Sequence, residues 1–281
     1  MVHPTTEDLT PEDGVIVRAS RSGCATGVLV LSGSSGRVER ERAAVLSARG
    51  VTALTYRWFG APGQPHGIWE LPLESFGWAV ERLAAECDRV VLLGTSKSAE
   101  AFLLYAADDP RVDAVVALSP THVAWGNVSP APDGALRPQH SSWSRGGEPV
   151  PFVPYDDEVE VRGDPPVYAP VYRASLLTDA DHLAAASIPV ERLFGDVLLV
   201  AGGDDQLWPS LDSARALEAR RAAYALPTTL VTLPEAGHRV VLPGESVQRG
   251  GAAMARGGTE AADRELGRLA WPEILRVLEV G

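Results

Sequence analysis

Apolar positions along the chain fall into six short runs: GVLVLSG (27–33), VTALTYR (51–57), RVVLLGT (89–95), VDAVVALSP (112–120), DVLLVAGGDD (196–205) and TTLVTLPEAGH (228–238). Each run is apolar at successive positions, not at every second one. That is the pattern of a strand covered on both faces, and therefore of a parallel sheet between helical layers. Between the runs, helical spacing predicts helices over 37–49, 73–87, 97–108 and 210–224, with a last one over about 260–279. Strand–helix alternation of this kind requires right-handed crossovers and builds an α/β, mostly parallel, doubly wound sheet. An earlier run, VIVRA (15–19), predicts an antiparallel edge strand.

One segment breaks this rhythm. Residues 121–194 are rich in proline, glycine and tryptophan and show little periodicity before about residue 175. A long irregular stretch inside a compact domain is often a lid over a site, so a cap insertion is expected over about 121–190. The length of 281 residues suits one sizeable core, and the chain is read as a single domain over 1–281.

Composition narrows the partners. A formal net charge of −12 argues against nucleic acid, which demands clustered basic side chains. No stretch approaches the ~18 apolar residues of a membrane span. The start, MVHPTTEDLTPEDG, has neither a basic n-region nor an apolar h-region, so no signal peptide is expected. Cys24 and Cys87 match no metal-ligand spacing and are read as reduced thiols, which together with the rest predicts a cytoplasmic protein. Arginine outnumbers lysine throughout, as GC-rich coding would produce. The single lysine of the chain, Lys97, therefore stands out.

In an open α/β sheet, ligands bind at the carboxyl ends of the strands. Ser96 follows the third run, Asp204 and Asp205 follow the fifth, and His238 follows the sixth. The order Ser…Asp…His is that of α/β-hydrolases. A serine hydroxyl needs a base to take its proton, histidine can serve, and a carboxylate orients and stabilises that imidazole. Gly94-Thr95-Ser96-Lys97-Ser98 fits the nucleophile elbow G-x-S-x-G except at Ser98. Asp205 is favoured over Asp204, because Asp205-Gln206-Leu207-Trp208-Pro209 sets a proline at the start of the next helix. The other histidines, His3, His66, His122, His140 and His182, fall in the tail, in loops or in the insert.

An oxyanion hole is expected from the backbone N–H groups of Lys97 and of Ser34, the latter in the loop Ser32-Gly33-Ser34-Ser35-Gly36. That loop lacks both nucleotide-binding glycine patterns, and no cofactor or metal is expected. Trp58, Phe59, Trp125, Trp143 and Trp208 are candidates for an aromatic wall around an apolar acyl group, or for packing of the cap.

GTSKSAEAFLL resembles the G-x-S-K-G-x-E elbow of the acyl-CoA thioesterase and bile acid-CoA:amino acid N-acyltransferase family, in its C-terminal α/β-hydrolase domain, of dienelactone-hydrolase-like type. The similarity extends to LPLESFGWAVERL (71–83), VVALSPTHVAW (115–125), SSWSRGGEPVPFVPYD (141–156), IPVERLFGDVLLVAGGDDQLWPS (188–210) and PEAGH (234–238). It implies that Lys97 and Glu100 belong to the elbow, where an ammonium could pair with the carboxylate at i+3. It also implies a small-molecule acyl thioester or ester as substrate, carried on CoA or a carrier protein. In that family a cysteine nucleophile goes with transfer to an amino acid and a serine with hydrolysis. The expectation is a serine hydrolase working through acyl-Ser96. A biosynthetic acyltransferase or cyclase, and a non-catalytic binding protein on the same scaffold, are the alternatives.

Overall fold

The computed structural model describes residues 4–10, 13–19, 24–129, 131, 133–134, 139–177 and 180–280. In chain order the elements are β1 (Thr5–Leu9), β2 (Gly14–Arg18), β3 (Cys24–Leu31), α1 (Arg40–Ser47), β4 (Thr52–Tyr56), β5 (Leu71–Pro72), α2 (Gly77–Ala84), β6 (Cys87–Thr95) and α3 (Lys97–Ala106). There follow β7 (Ala114–Leu118), β8 (Trp143–Arg145), β9 (Glu148–Pro149), α4 (Ala169–Ser175), α5 (Ala180–Ala186), β10 (Asp196–Gly202), α6 (Ser210–Ala223), β11 (Thr229–Leu233) and α7 (Glu260–Val277). Eight strands form one sheet in the order β1-β2-β4-β3-β6-β7-β10-β11. The pairs β1–β2 and β2–β4 are antiparallel, and from β4 to β11 every pair is parallel.

Strand pleating explains why the central runs are apolar throughout. Successive side chains point to opposite faces. In β3, Leu29 and Leu31 join the layer holding α2, α3 and α6, whereas Val28 and Val30 join the layer holding α1 and α7. Both layers are closed to solvent, so the positions on either face are mainly apolar, with threonines such as Thr55 as the exceptions.

Two features depart from the expectations. The polar TTEDL forms β1 outside β2, so VIVRA is the second strand and not the edge. Its side chains are mostly exposed, and main-chain pairing with ion pairs of Glu7 to Arg18 and of Asp8 to Arg40 holds it, which leaves little apolar signature. Cys87 is disulfide-bonded, not a free thiol, and no free cysteine occurs among the described residues. The register of β3 on β6 sets Cys24 opposite Cys87, and neighbouring strands lie within the Cα separation that bridged cysteines use.

The segment expected as a cap carries β8, β9, α4 and α5, with 130, 132, 135–138 and 178–179 outside the described residues. Its β8 and β9 add to β5 as a small second sheet. Val123, Trp125, Val153, Tyr172 and Ala186 form a separate apolar cluster with Trp208. Among the described residues, no helix is long and apolar enough to cross a membrane.

Candidate active site

The end of β6 and the start of α3 are separated by one residue, Ser96. Its backbone has φ 58° and ψ −119°, a region that costs a non-glycine residue about 1–3 kcal/mol and persists only where the surroundings impose it. Here they do. The Ser96 N–H donates to the Leu118 carbonyl at 2.9 Å, and the Glu100 N–H donates to the Ser96 carbonyl at 3.1 Å. A Cβ on Gly94 would lie 2.6 Å from the Ala99 nitrogen, so only glycine lets α3 turn back this closely on β6.

Ser98 stands where the elbow pattern has its second glycine. Its hydroxyl donates to the Leu31 carbonyl at 2.8 Å and accepts from the Thr95 N–H at 2.8 Å. The buried serine therefore ties the elbow to the end of β3. The loop after β3 abuts the same point: a Cβ on Gly33 would sit 3.0 Å from the Ser96 Cβ. Ser34 and Ser96 line one cavity of about 390 Å3.

His238 lies beyond β11 and lines that cavity too. Its Nδ1 is 2.8 Å from Asp205 Oδ2. A carboxylate accepts, so Nδ1 is the nitrogen that donates in this contact. Asp205 is itself held, with Oδ1 accepting from the N–H groups of Leu207 at 2.9 Å and Trp208 at 3.2 Å. Asp204 turns elsewhere and accepts from the Gly258 N–H at 2.8 Å. His122, His140 and His182 bond Ser213, Glu70 and the Phe152 carbonyl, respectively. His66 is exposed, and His3 lies outside the described residues.

Two residues that the sequence did not single out hold the His238 loop. Ser119, at φ 49° just past β7, donates its hydroxyl to the His238 carbonyl at 2.7 Å. Asp263 of α7 accepts from the Gly237 N–H at 2.8 Å, and burial raises its carboxyl above the ordinary range. A serine at a strand end was a visible clue to the first. Nothing local pointed to the second, because α7 reaches the site only through the fold.

Lys97 has a role apart from its backbone. Its ammonium is buried, 2.9 Å from Glu100 Oε2, and donates to Ser142 Oγ at 2.8 Å. Glu100 Oε1 accepts from the Trp125 N–H at 2.9 Å and from Trp143 Nε1 at 2.7 Å. Burial pushes the ammonium down and the carboxyl up, and each partner opposes that shift in the other. The pair thus pins the insert to the elbow helix.

The tryptophans do not wall the cavity. Trp58 and Trp143 stack at 5.9 Å inside the main core, with Phe59 edge-on to Trp58. Trp125 and Trp208 pack on Tyr172 in the insert's cluster. Trp208 nears the candidate base, its ring edge-on to His238 at 5.7 Å. Nor, among the described residues, does any of 121–190 line the cavity. Its far wall comes from the stretch 239–256, including Arg239, Val240, Gln248, Met254 and Arg256. That stretch has few regular hydrogen bonds and no periodicity, and sequence reading left it unassigned. Among the described residues, no group of three His, Cys, Asp or Glu side chains is placed to hold a metal ion.

Residues 74–278 match the family model described as BAAT / acyl-CoA thioester hydrolase C terminal. No curated protein matches the sequence. Among solved structures, a protein described as a dienelactone hydrolase from Klebsiella pneumoniae superposes with a TM-score of 0.56 at 14% identity, over 98% of this chain and 97% of that one. Protein TT1662 of Thermus thermophilus gives 0.50 at 15% identity, over 99% and 100%. An acylaminoacyl peptidase of Pyrococcus horikoshii gives 0.56 at 10% identity, over 98% of this chain and 41% of its own. At these identities the structures establish a shared fold.

Proposed function

The chain belongs to the BAAT / acyl-CoA thioester hydrolase C-terminal family, and from that premise we propose that it is a serine hydrolase cleaving an acyl thioester or ester through an acyl-Ser96 intermediate. The observation that carries this reading is the 2.8 Å contact of Asp205 with His238, in a cavity that also holds Ser96 at a strained turn.

Ser96 Oγ attacks the acyl carbonyl while its proton passes to His238 Nε2. Asp205 holds the resulting imidazolium. The oxyanion is received by the backbone N–H groups of Ser34 and Lys97, which is the reason the Gly33-Ser34 turn must press against the elbow. Collapse breaks the acyl–sulfur or acyl–oxygen bond, and the departing thiol or alcohol takes the proton from His238. Water then gives its proton to the same nitrogen, attacks the ester, and releases the acid with Ser96 regenerated. A serine ester is less reactive towards amines than a cysteine thioester, which favours water as the acceptor.

The test is single-turnover incubation with acyl thioesters, followed by intact-protein mass and by thiol release. A mass increase of one acyl group, absent in Ser96→Ala, is expected, with free acid as product whether or not glycine or taurine is added. Turnover without an acyl-enzyme, or amide formed in preference to acid, overturns the reading.

A further inference from the structure

The charge around Ser96 runs against the charge of the chain. The protein as a whole is strongly acidic, yet the cavity is lined by five arginines and three glutamates. Each of those glutamates is already engaged. Glu39 lies 2.8 Å from Arg37, Glu245 accepts from Arg42 at 2.9 Å, and Glu41 accepts from the Ser246 hydroxyl at 2.8 Å.

Arg239 and Arg256 are left without such a partner. Arg239 donates to the Gly250 carbonyl at 3.1 Å, and Arg256 to the Met254 and Ala252 carbonyls at 3.1 and 3.2 Å. Among the described residues, neither guanidinium is in an ion pair, and Asp263 acts on Arg239 only through the field of its charge. Both are partly buried, and burial pushes each below the usual arginine range, helped by Arg256 and Arg37 at Arg239 against the pull of Asp263, and by Arg37 at Arg256. Arginine does not give up its proton at such a site, so the repulsion between the guanidiniums persists. Both side chains come from positions that also serve His238: Arg239 follows it, and the Arg256 carbonyl accepts the His238 N–H at 2.7 Å. The backbone that carries both cations is therefore tied to the candidate base.

We infer that Arg239 and Arg256, with Arg37 beside them, form an anion-binding subsite that takes a carboxylate or phosphate group of the substrate whose acyl bond Ser96 attacks. The inference rests on the serine-hydrolase reading for its direction, but the binding it describes does not require turnover. A guanidinium fork suits planar oxyanions and remains charged when an anion displaces water. The oxyanion belongs either to the acyl part or to the phosphates of a leaving group such as coenzyme A.

The experiment uses Ser96→Ala protein, which holds ligands without consuming them. Binding of succinate and of coenzyme A is measured by calorimetry at low ionic strength, with and without Arg239→Gln or Arg256→Gln. At least one anion is expected to bind, and each arginine substitution should weaken it by about tenfold or more, with Arg256→Lys recovering part of the loss. Thermal midpoints close to that of the parent exclude misfolding as the cause. Butyryl and succinyl thioesters, each on coenzyme A and on uncharged N-acetylcysteamine, are then turned over by protein that keeps Ser96, with and without the same arginine substitutions, to give the side. A loss in kcat/KM specific to succinyl places the anion on the acyl part, and a loss specific to coenzyme A places it on the leaving group. Absence of binding by both anions, or binding indifferent to both arginines, overturns the subsite. Arginine-dependent binding in a protein that never forms acyl-Ser96 overturns the hydrolase reading and leaves the subsite standing.

Discussion

Lys97 Nζ lies 2.9 Å from Glu100 Oε2, one turn further along α3, and both side chains are shut away from solvent. The same ammonium reaches Ser142, and the same carboxylate receives Trp125 and Trp143, so one ion pair joins the elbow helix to two places in the insert. A compact ammonium fits between these partners, whereas a planar guanidinium presents five donors in a fixed fork. That accounts for a lone lysine in an arginine-rich chain.

Breaking this pair from one side should be costly. Lys97→Met leaves a buried carboxylate uncompensated and is expected to lose about 3–5 kcal/mol of stability. Lys97→Met combined with Glu100→Gln should recover a substantial part of it. Urea midpoints of the single and double variants check this, and additive losses would show that the pair is not one unit.

The two neighbouring aspartates should separate sharply. Asp205→Asn removes the carboxylate that fixes the His238 tautomer and is expected to lower kcat by about three to four orders of magnitude. Asp204→Asn alters contacts to the Gly258 N–H and to Gln206 Nε2, neither of which touches His238, and should cost less than about tenfold. Steady-state rates on an activated aryl ester decide the ranking.

Ser98→Gly would restore the glycine of the elbow pattern, yet stability should fall. The variant loses the hydroxyl's bonds to Leu31 and Thr95, worth about 1–2 kcal/mol together. Activity should remain within about tenfold, since Gly94 and not residue 98 makes the tightest approach. Denaturation curves and rates measured side by side test both halves.

Acid should unfold the protein partly through His122. Burial lowers its pKa to about 4, below the value it has in the unfolded chain. The unfolded state therefore binds more protons between that value and about 6.5, and stability falls as pH drops through the window, by at most about 1.4 kcal/mol per pH unit. Midpoints measured from pH 7 to pH 4 should fall less steeply in His122→Gln than in the parent.

Much of the architecture was legible because it depends on local order. Continuous apolar runs such as GVLVL must be covered on both faces, and a Gly-x-Ser turn between a strand and a helix demands small residues wherever it occurs. The candidate serine, aspartate and histidine were found because the carboxyl ends of parallel strands converge by topology. The wall of the cavity was another matter. Arg239 and Arg256 sit in an aperiodic stretch whose position depends on α7 through Asp263 and on Asp204 through Gly258. The tryptophans, which the sequence left open as a substrate wall or as packing, pack in the interior, because residue type records that a ring will be covered but not whether protein or ligand covers it. What lies on the carboxyl side of the sheet follows from strand order and can be read from the chain. Which side chains then face the reacting serine is decided by contacts between residues far apart in sequence, and those exist only once the chain has folded.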